Sequence, residues 1–209
     1  MEYLAVVLFA TVAIITPGPN NLMVLTSGLN FGLRRSLPHF WGICLGFPVM
    51  LLAVGLGAGA LFAHFSGLYL LLKALACAYL LYLAWRIATM APPAEVTAQG
   101  RPITFLQAAL FQWVNPKAWM ISLGAVAAYT SLDRDAVSQS LQLALIFLLV
   151  GIPCVGAWLL MGHGARRFLT APHLLRLFNI GMALLLVLSL LPVLGELGAL
   201  VISRADLPG

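Results

Sequence analysis

A chain of 209 residues that is 62% hydrophobic and only 8% charged is not a water-soluble domain, because soluble domains carry about 25% charged residues. Its mean hydropathy of +1.03 points to an integral membrane protein. The net charge of +5 comes from basic residues in short connections, which follows the positive-inside rule and excludes a nucleic-acid-binding face.

The first apolar run begins at Tyr3. It has no basic n-region, carries Glu2 and continues past its prolines, so it reads as a first spanning helix and not as a signal peptide. Six spans can be drawn at roughly 3–28, 39–64, 67–90, 104–130, 138–162 and 174–197. Each is long enough for about 30 Å of hydrocarbon at 1.5 Å per residue. The connections are short, and only A-P-P-A-E-V-T-A-Q-G-R-P at 91–102 has the composition of a linker.

Arg34, Arg35, Arg86, Arg101, Arg166, Arg167 and Arg176 fall on one side of this arrangement. Arg134, Arg204 and the shallow Lys73 fall on the other. The first group is therefore expected to be cytoplasmic, with both termini periplasmic.

In the second span, Gly42 and Gly46 are four residues apart, and Gly55, Gly57 and Gly59 follow. Small residues let helices approach closely in lipid. The stripe serves packing inside the chain or, alternatively, a homodimer seam. Cys44, Cys77 and Cys154 each sit in an apolar run with no C-x-x-C pair, so neither a disulfide framework nor a metal site is implied.

Thr16-Pro17-Gly18-Pro19-Asn20-Asn21 interrupts the first span. Each proline removes a backbone N–H and clashes with the preceding turn, and no water within the bilayer would serve the freed carbonyls. Val114-Asn115-Pro116-Lys117 interrupts the fourth span at a similar depth. Gly46-Phe47-Pro48 and Gly151-Ile152-Pro153 mark the second and fifth spans in the same way.

Residues 1–102 therefore read as one three-helix repeat and 103–209 as a second. An odd number of spans per copy makes the two copies enter the membrane from opposite sides. Paired Pro/Gly interruptions in corresponding helices mark the substrate site of such inverted-repeat carriers. Each break ends one half-helix and starts another, whose free N–H groups and positive dipole end suit a carboxylate.

The candidate substrate-binding residues are Asn20, Asn21, Asn115 and Lys117. Asn20 and Asn115 adjoin prolines, and Asn21 is the weaker candidate of the three amides. An asparagine here can satisfy freed backbone groups or bond a ligand. Lys117 attracts the substrate carboxylate on one reading, and bonds loose carbonyls or snorkels on the other. Pro17, Gly18, Pro19, Pro116, Pro48 and Pro153 are the helix-break or gating positions.

Spans 1–5 hold no interior Asp or Glu, and His39, His64, His163 and His173 fall near span ends, where they read as interface residues. No residue is thereby marked as a proton carrier. No nucleotide-binding loop is present, and no cofactor is implied.

These stretches resemble the LysE/RhtB family of amino-acid exporters. The resemblance rests on T-P-G-P-N-N at 16–21, the Gly32, Arg34 and Arg35 loop, Gly42 with Gly46-Phe47, A-C-A-Y-L-L-Y-L-A-W-R at 76–86, F-L-Q at 105–107 and N-P-K at 115–117. Gly162-His163 and F-N-I-G-M-A-L-L-L-V at 178–187 also fit. The A-W-R-I-A-T run at 84–89 is most similar to the cysteine/O-acetylserine exporter branch.

The resemblance implies an all-α protein of six helices in the bacterial inner membrane. It further implies secondary export of small neutral amino acids or their derivatives, of the cysteine/O-acetylserine, threonine or homoserine type, by proton antiport and without enzyme activity. Ala84 and Ala108 depart from the family's frequent glycines, which bears on cavity shape. Two other readings are a cation or heavy-metal carrier and a membrane thiol–disulfide electron carrier. The lack of intramembrane carboxylates opposes the first, and asparagines in place of cysteines at the breaks oppose the second.

Overall fold

The computed structural model describes residues 3–58, 66–89, 101–130, 135–168, 171–188, 190, 191 and 195, and every regular element among them is helical. The helices are α1 (Tyr3–Ile15), α2 (Pro19–Ala53), α3 (Ser66–Ala88), α4 (Phe105–Phe111), α5 (Pro116–Tyr129), α6 (Ala136–Ala165) and α7 (Pro172–Leu188). A π turn, Val54–Ala58, extends α2, and a 3₁₀ turn, Gln112–Val114, follows α4. The 91–100 linker, His64, Arg134, Glu196 and Arg204 lie outside the described residues, as do the side chains of Lys73 and Tyr79.

Local chemistry sets these bounds. Pro17 and Pro19 stop α1 and allow α2 to begin, with Gly18 as its N-cap and proline in the first helical position. Thr104 and Gln107 close a capping box at α4, the Thr104 hydroxyl accepting from Gln107 N at 3.3 Å and the Gln107 side chain accepting from Thr104 N at 3.0 Å. Asp135 caps α6 by accepting from Ser138 N at 2.7 Å.

α2 is not straight. Gly32 has φ 77° and ψ 175°, a conformation that glycine adopts readily. Ser27 Oγ lies 2.8 Å from His39 Nδ1, although the two are 12 residues apart. In a straight helix they would be about 18 Å apart along the axis. The chain therefore reverses at Gly32, and α2 consists of two limbs, before and after that residue. The sequence placed a longer connection between 28 and 39. A single left-handed residue makes the turn instead.

Glycines then set how closely the helices approach. A Cβ on Gly46 would stand 2.6 Å from Ala109 Cα, and one on Gly42 would stand 2.7 Å from Ala108 Cβ. The stripe of small residues thus seats the second limb of α2 on α4, which is the internal packing use. Gly28 lies against Leu159 of α6, and Gly162 of α6 lies against Leu25, so the first limb is pressed onto α6. At the far end of that limb, Asn30 Nδ2 donates to Asn179 Oδ1 at 3.1 Å and Asn179 Nδ2 donates back at 3.3 Å.

Three apolar clusters fill the interior. One joins α3 and α7 to the first limb through Leu80, Leu186 and Met23. A second joins α1, the second limb, α5 and α6 through Val6, Met50, Ala125 and Phe147. The third joins both limbs to α4 and α6 through Val24, Ile43, Ala108 and Val155. Outward faces are as apolar as inward ones. Val137, Leu141, Leu145 and Leu149 form an exposed stripe along α6, and Leu4, Leu8 and Val12 form another on α1. The 30 residues of α6 span about 45 Å. The stretches Pro19–Gly57 and Ala136–Ala165 are long and apolar enough to cross a membrane, and their exposed apolar stripes suit a lipid surface.

Candidate functional site

The two interruptions meet in space. The side chains of Asn20 and Gln112 form a reciprocal amide pair, Asn20 Nδ2 donating to Gln112 Oε1 at 2.8 Å and Gln112 Nε2 donating to Asn20 Oδ1 at 3.2 Å. Gln112 is fully buried and also donates to the Ala108 carbonyl at 2.8 Å. Lys117 reaches across in the other direction. Its Nζ donates to the carbonyl of Thr16 and lies 3.4 Å from that of Pro17. Its stem runs over Gly18, where a Cβ would stand 2.8 Å from Lys117 Cδ. A side chain at position 18 would push the Lys117 stem off this path.

The end of α1 explains why these donors gather. A helix terminus leaves its last carbonyls without intrahelical partners, and the prolines after it supply no N–H. Asn21 Nδ2 donates to Ile14 O at 2.7 Å and to Thr16 O at 2.9 Å. Trp158 Nε1 donates to Ile15 O at 3.1 Å. With Lys117 on Thr16 and Pro17, each carbonyl from Ile14 to Pro17 has a side-chain donor. The ammonium also sits at the negative end of the α1 dipole.

The starts of the following helices differ. Asn115 caps α5, its Oδ1 accepting from Lys117 N at 3.1 Å. Gly18 offers α2 no side-chain cap. The opening N–H groups of α2 therefore remain a place where an anion is favoured.

Between the breaks lies a partly open cavity. Gly18, Asn20, Asn21, Asn115 and Lys117 supply its polar wall. Cys44, Phe47, Pro48 and Phe147 are on its apolar wall. All four predicted substrate-binding residues thus line one space. Asn21, the weaker sequence candidate, is among them, although both of its bonds go to α1. Lys117 holds carbonyls here, the second of its two readings.

Pro17, Pro19 and Pro116 bound the breaks, whereas α2 runs on through Pro48 and α6 through Pro153. Pro48 is buried at the cavity and Pro153 is exposed. The sequence reading missed Gln112 and Trp158, which carry no helix-breaking signal. His39 also differs from expectation. It is fully buried against Ser27 and is not an interface residue, because the Gly32 reversal folds it inward. His163 and His173 are exposed.

The chain matches the family described as LysE type translocator over residues 11–191. It is 33% identical over 180 residues to the cysteine/O-acetylserine efflux proteins of Salmonella typhimurium (strain LT2) and Escherichia coli (strain K12). The match covers 86% of this chain and 90% of each of those proteins. No solved structure matches the chain. A translocator match over most of the length, carried by helices whose two interruptions converge on one cavity, places this chain in the LysE type translocator family.

Proposed function

We propose that the protein is a secondary transporter that exports small neutral amino acids or their derivatives from the cytoplasm, with the substrates of the cysteine/O-acetylserine efflux relatives as the first to test. The observation that carries this reading is the cavity at the paired helix breaks, where Asn20, Asn21, Asn115 and Lys117 face an apolar wall. An amino acid presents a carboxylate, an ammonium and a short side chain. The uncapped start of α2 and the Lys117 ammonium suit the first, the amide and backbone oxygens suit the second, and the wall of Cys44 and Phe47 suits the third.

In this reading the chain forms six spans in two inverted repeats, 1–102 and 103–209, in the bacterial inner membrane, with periplasmic termini. Proton antiport drives export, and Asn20, Asn21, Asn115 and Lys117 hold the substrate. Pro17, Gly18, Pro19 and Pro116 shape the breaks, while Pro48 and Pro153 act as bends in continuous helices. The proximity of the two breaks, 92 residues apart in sequence, supports the repeat arrangement.

The test is expression in bacteria that lack related exporters, with extracellular amino acids measured by mass spectrometry. Selective accumulation of one or a few small amino acids, lost in Asn20→Ala at equal membrane abundance, is the expected result. Absence of accumulation from well-expressed protein would reject amino-acid export, and full export by both Asn20→Ala and Asn115→Ala would reject the site.

A further inference from the structure

A second, partly open cavity lies beside the same limb of α2, and it shares no lining residue with the first. Thr26, Ser27 and Phe31 of that limb form one side, Arg86 of α3 another, and Arg101 and Ile103 before α4 a third. Asn20 lies at the start of the limb and Ser27 two turns further on, about 10 Å along the axis. Met23, between them, lines the second cavity. The two spaces therefore follow one another along a single half-helix. Arg86 and Arg101 belong to the basic group that places this end at the cytoplasmic side.

The chemistry of this mouth is specific. Two arginines line a space whose remaining wall is apolar or hydroxylated. Arg86 is half-buried and stacks on the Tyr82 ring, with Cζ 5.9 Å from its centroid. Asp135 is the only carboxylate among the described residues, and it caps α6 without lining this space. Thr26 spends its hydroxyl on the Leu22 carbonyl at 2.7 Å. Ser27 is different. It is buried, and its Oγ is held 2.8 Å from Nδ1 of the fully buried His39, whose Nε2 has no partner. When Nδ1 carries the proton and donates to Ser27 Oγ, the serine hydroxyl proton is left to donate into the cavity.

We propose that this cavity is a cytoplasmic entry site in which Arg86 and Arg101 bind the carboxylate of a small amino acid, with Ser27 oriented by His39 as a third donor, before the ligand passes along the first limb of α2 to the central cavity. Arginine is suited to the task because its planar fork bonds a carboxylate through two parallel N–H donors. The proposal rests on the export reading for the identity of its ligand, but not for the existence of the site.

The test uses the full-length protein in phosphatidylcholine nanodiscs, with Ile103→Cys as a reporter on the cavity wall and the rate of maleimide labelling as the readout. O-Acetyl-L-serine and L-serine are the probes. Either is expected to slow labelling, and Arg86→Gln or Arg101→Gln should weaken that protection at least about tenfold, the loss of one charge-assisted contact. Asn20→Ala should leave the protection in place while abolishing export.

Protection unchanged by both arginine substitutions, or no protection by either amino acid, would overturn the proposal. Labelling slowed by phosphatidylglycerol in the nanodisc, with no added effect of amino acid, would assign the arginines to a lipid phosphate and overturn it as well. Protection does not require turnover. A protein that shows it yet exports nothing would therefore remove the export reading and keep the entry site. Loss of folding is monitored by detergent size-exclusion profile, and Arg86→Lys provides a variant that keeps the charge but not the fork.

Discussion

Asn20 and Gln112 face each other across the two helix breaks, each amide donating to the other's oxygen, at 2.8 and 3.2 Å. No backbone hydrogen bond could join these segments so directly, since one is the first turn of α2 and the other a 3₁₀ turn ahead of Pro116. Removing Gln112 leaves the Asn20 amide without its partner, and removing Asn20 leaves Gln112 Oε1 without a donor while Nε2 keeps the Ala108 carbonyl, each at a cost of about 1–3 kcal/mol. Asn20→Ala and Gln112→Ala are each expected to lower the melting temperature of purified protein. The double variant should lose less than the sum of the two, with a coupling of roughly 0.5–3 kcal/mol. Strict additivity would show that the pair does not form in the membrane protein.

Lys117→Met keeps an unbranched stem over Gly18 and removes the ammonium from the Thr16 and Pro17 carbonyls. A hydrogen bond from a charged donor contributes about 1.5–3 kcal/mol, so the variant should melt earlier and be cleaved faster by protease near residue 16. Lys117→Arg should recover most of that stability. If Lys117→Met were as stable as the parent yet inactive in export, the ammonium would serve the ligand and not the helix end.

Gly32→Ala places a side chain at φ 77° and brings its Cβ to 3.0 Å from an Arg166 guanidinium nitrogen. The backbone conformation alone costs about 1–3 kcal/mol. The expected result is a lower melting temperature, with Gly32→Asn no less affected, because asparagine tolerates the left-handed helical region and not a positive φ with extended ψ. Gly181→Ala is the control. It lies within α7 with nothing within 4 Å of an added Cβ, and it should be neutral or stabilising by up to about 1 kcal/mol. Equal losses at both positions would contradict the reversal at Gly32.

Gly46→Ala puts a methyl 2.6 Å from Ala109 Cα. Backbone cannot yield as a flexible side chain can, so α4 must shift, at about 1–3 kcal/mol. Because Gln112 follows α4 directly, export should fall with stability. A stable, active Gly46→Ala whose oligomeric state changed would instead favour the dimer use of the stripe.

The breaks were legible in the sequence because Pro17, Pro19 and Pro116 act locally, through a missing N–H that no context restores. The close approach at Gly42 and Gly46 was legible for a similar reason, since two small residues a helical turn apart have few other uses. Pro48 and Pro153 carry the same chemistry, yet their helices continue, so an isolated proline and a cluster of breakers have different consequences.

What could not be read depends on distant partners. Gln112 acquires its role from Asn20, 92 residues away, and His39 turns inward only because Gly32 reverses the chain. Trp158 reads as one more aromatic until its indole is found on Ile15 O.

The carbonyls at the end of α1 are served by donors from three different helices: Asn21 of α2, Lys117 of α5 and Trp158 of α6. This makes the last turn of α1 a shared latch. Any motion that separates α1 from α5 or α6 strips one of these oxygens where water is scarce, and each such loss costs several kcal/mol. Opening the central cavity on that side therefore requires replacement donors at the moment of release. If the proposed site holds an amino acid, the ligand ammonium would supply N–H groups to the carbonyls as its carboxylate draws Lys117 away. In such an exchange the cargo itself would unfasten the latch, and an empty cavity would stay shut.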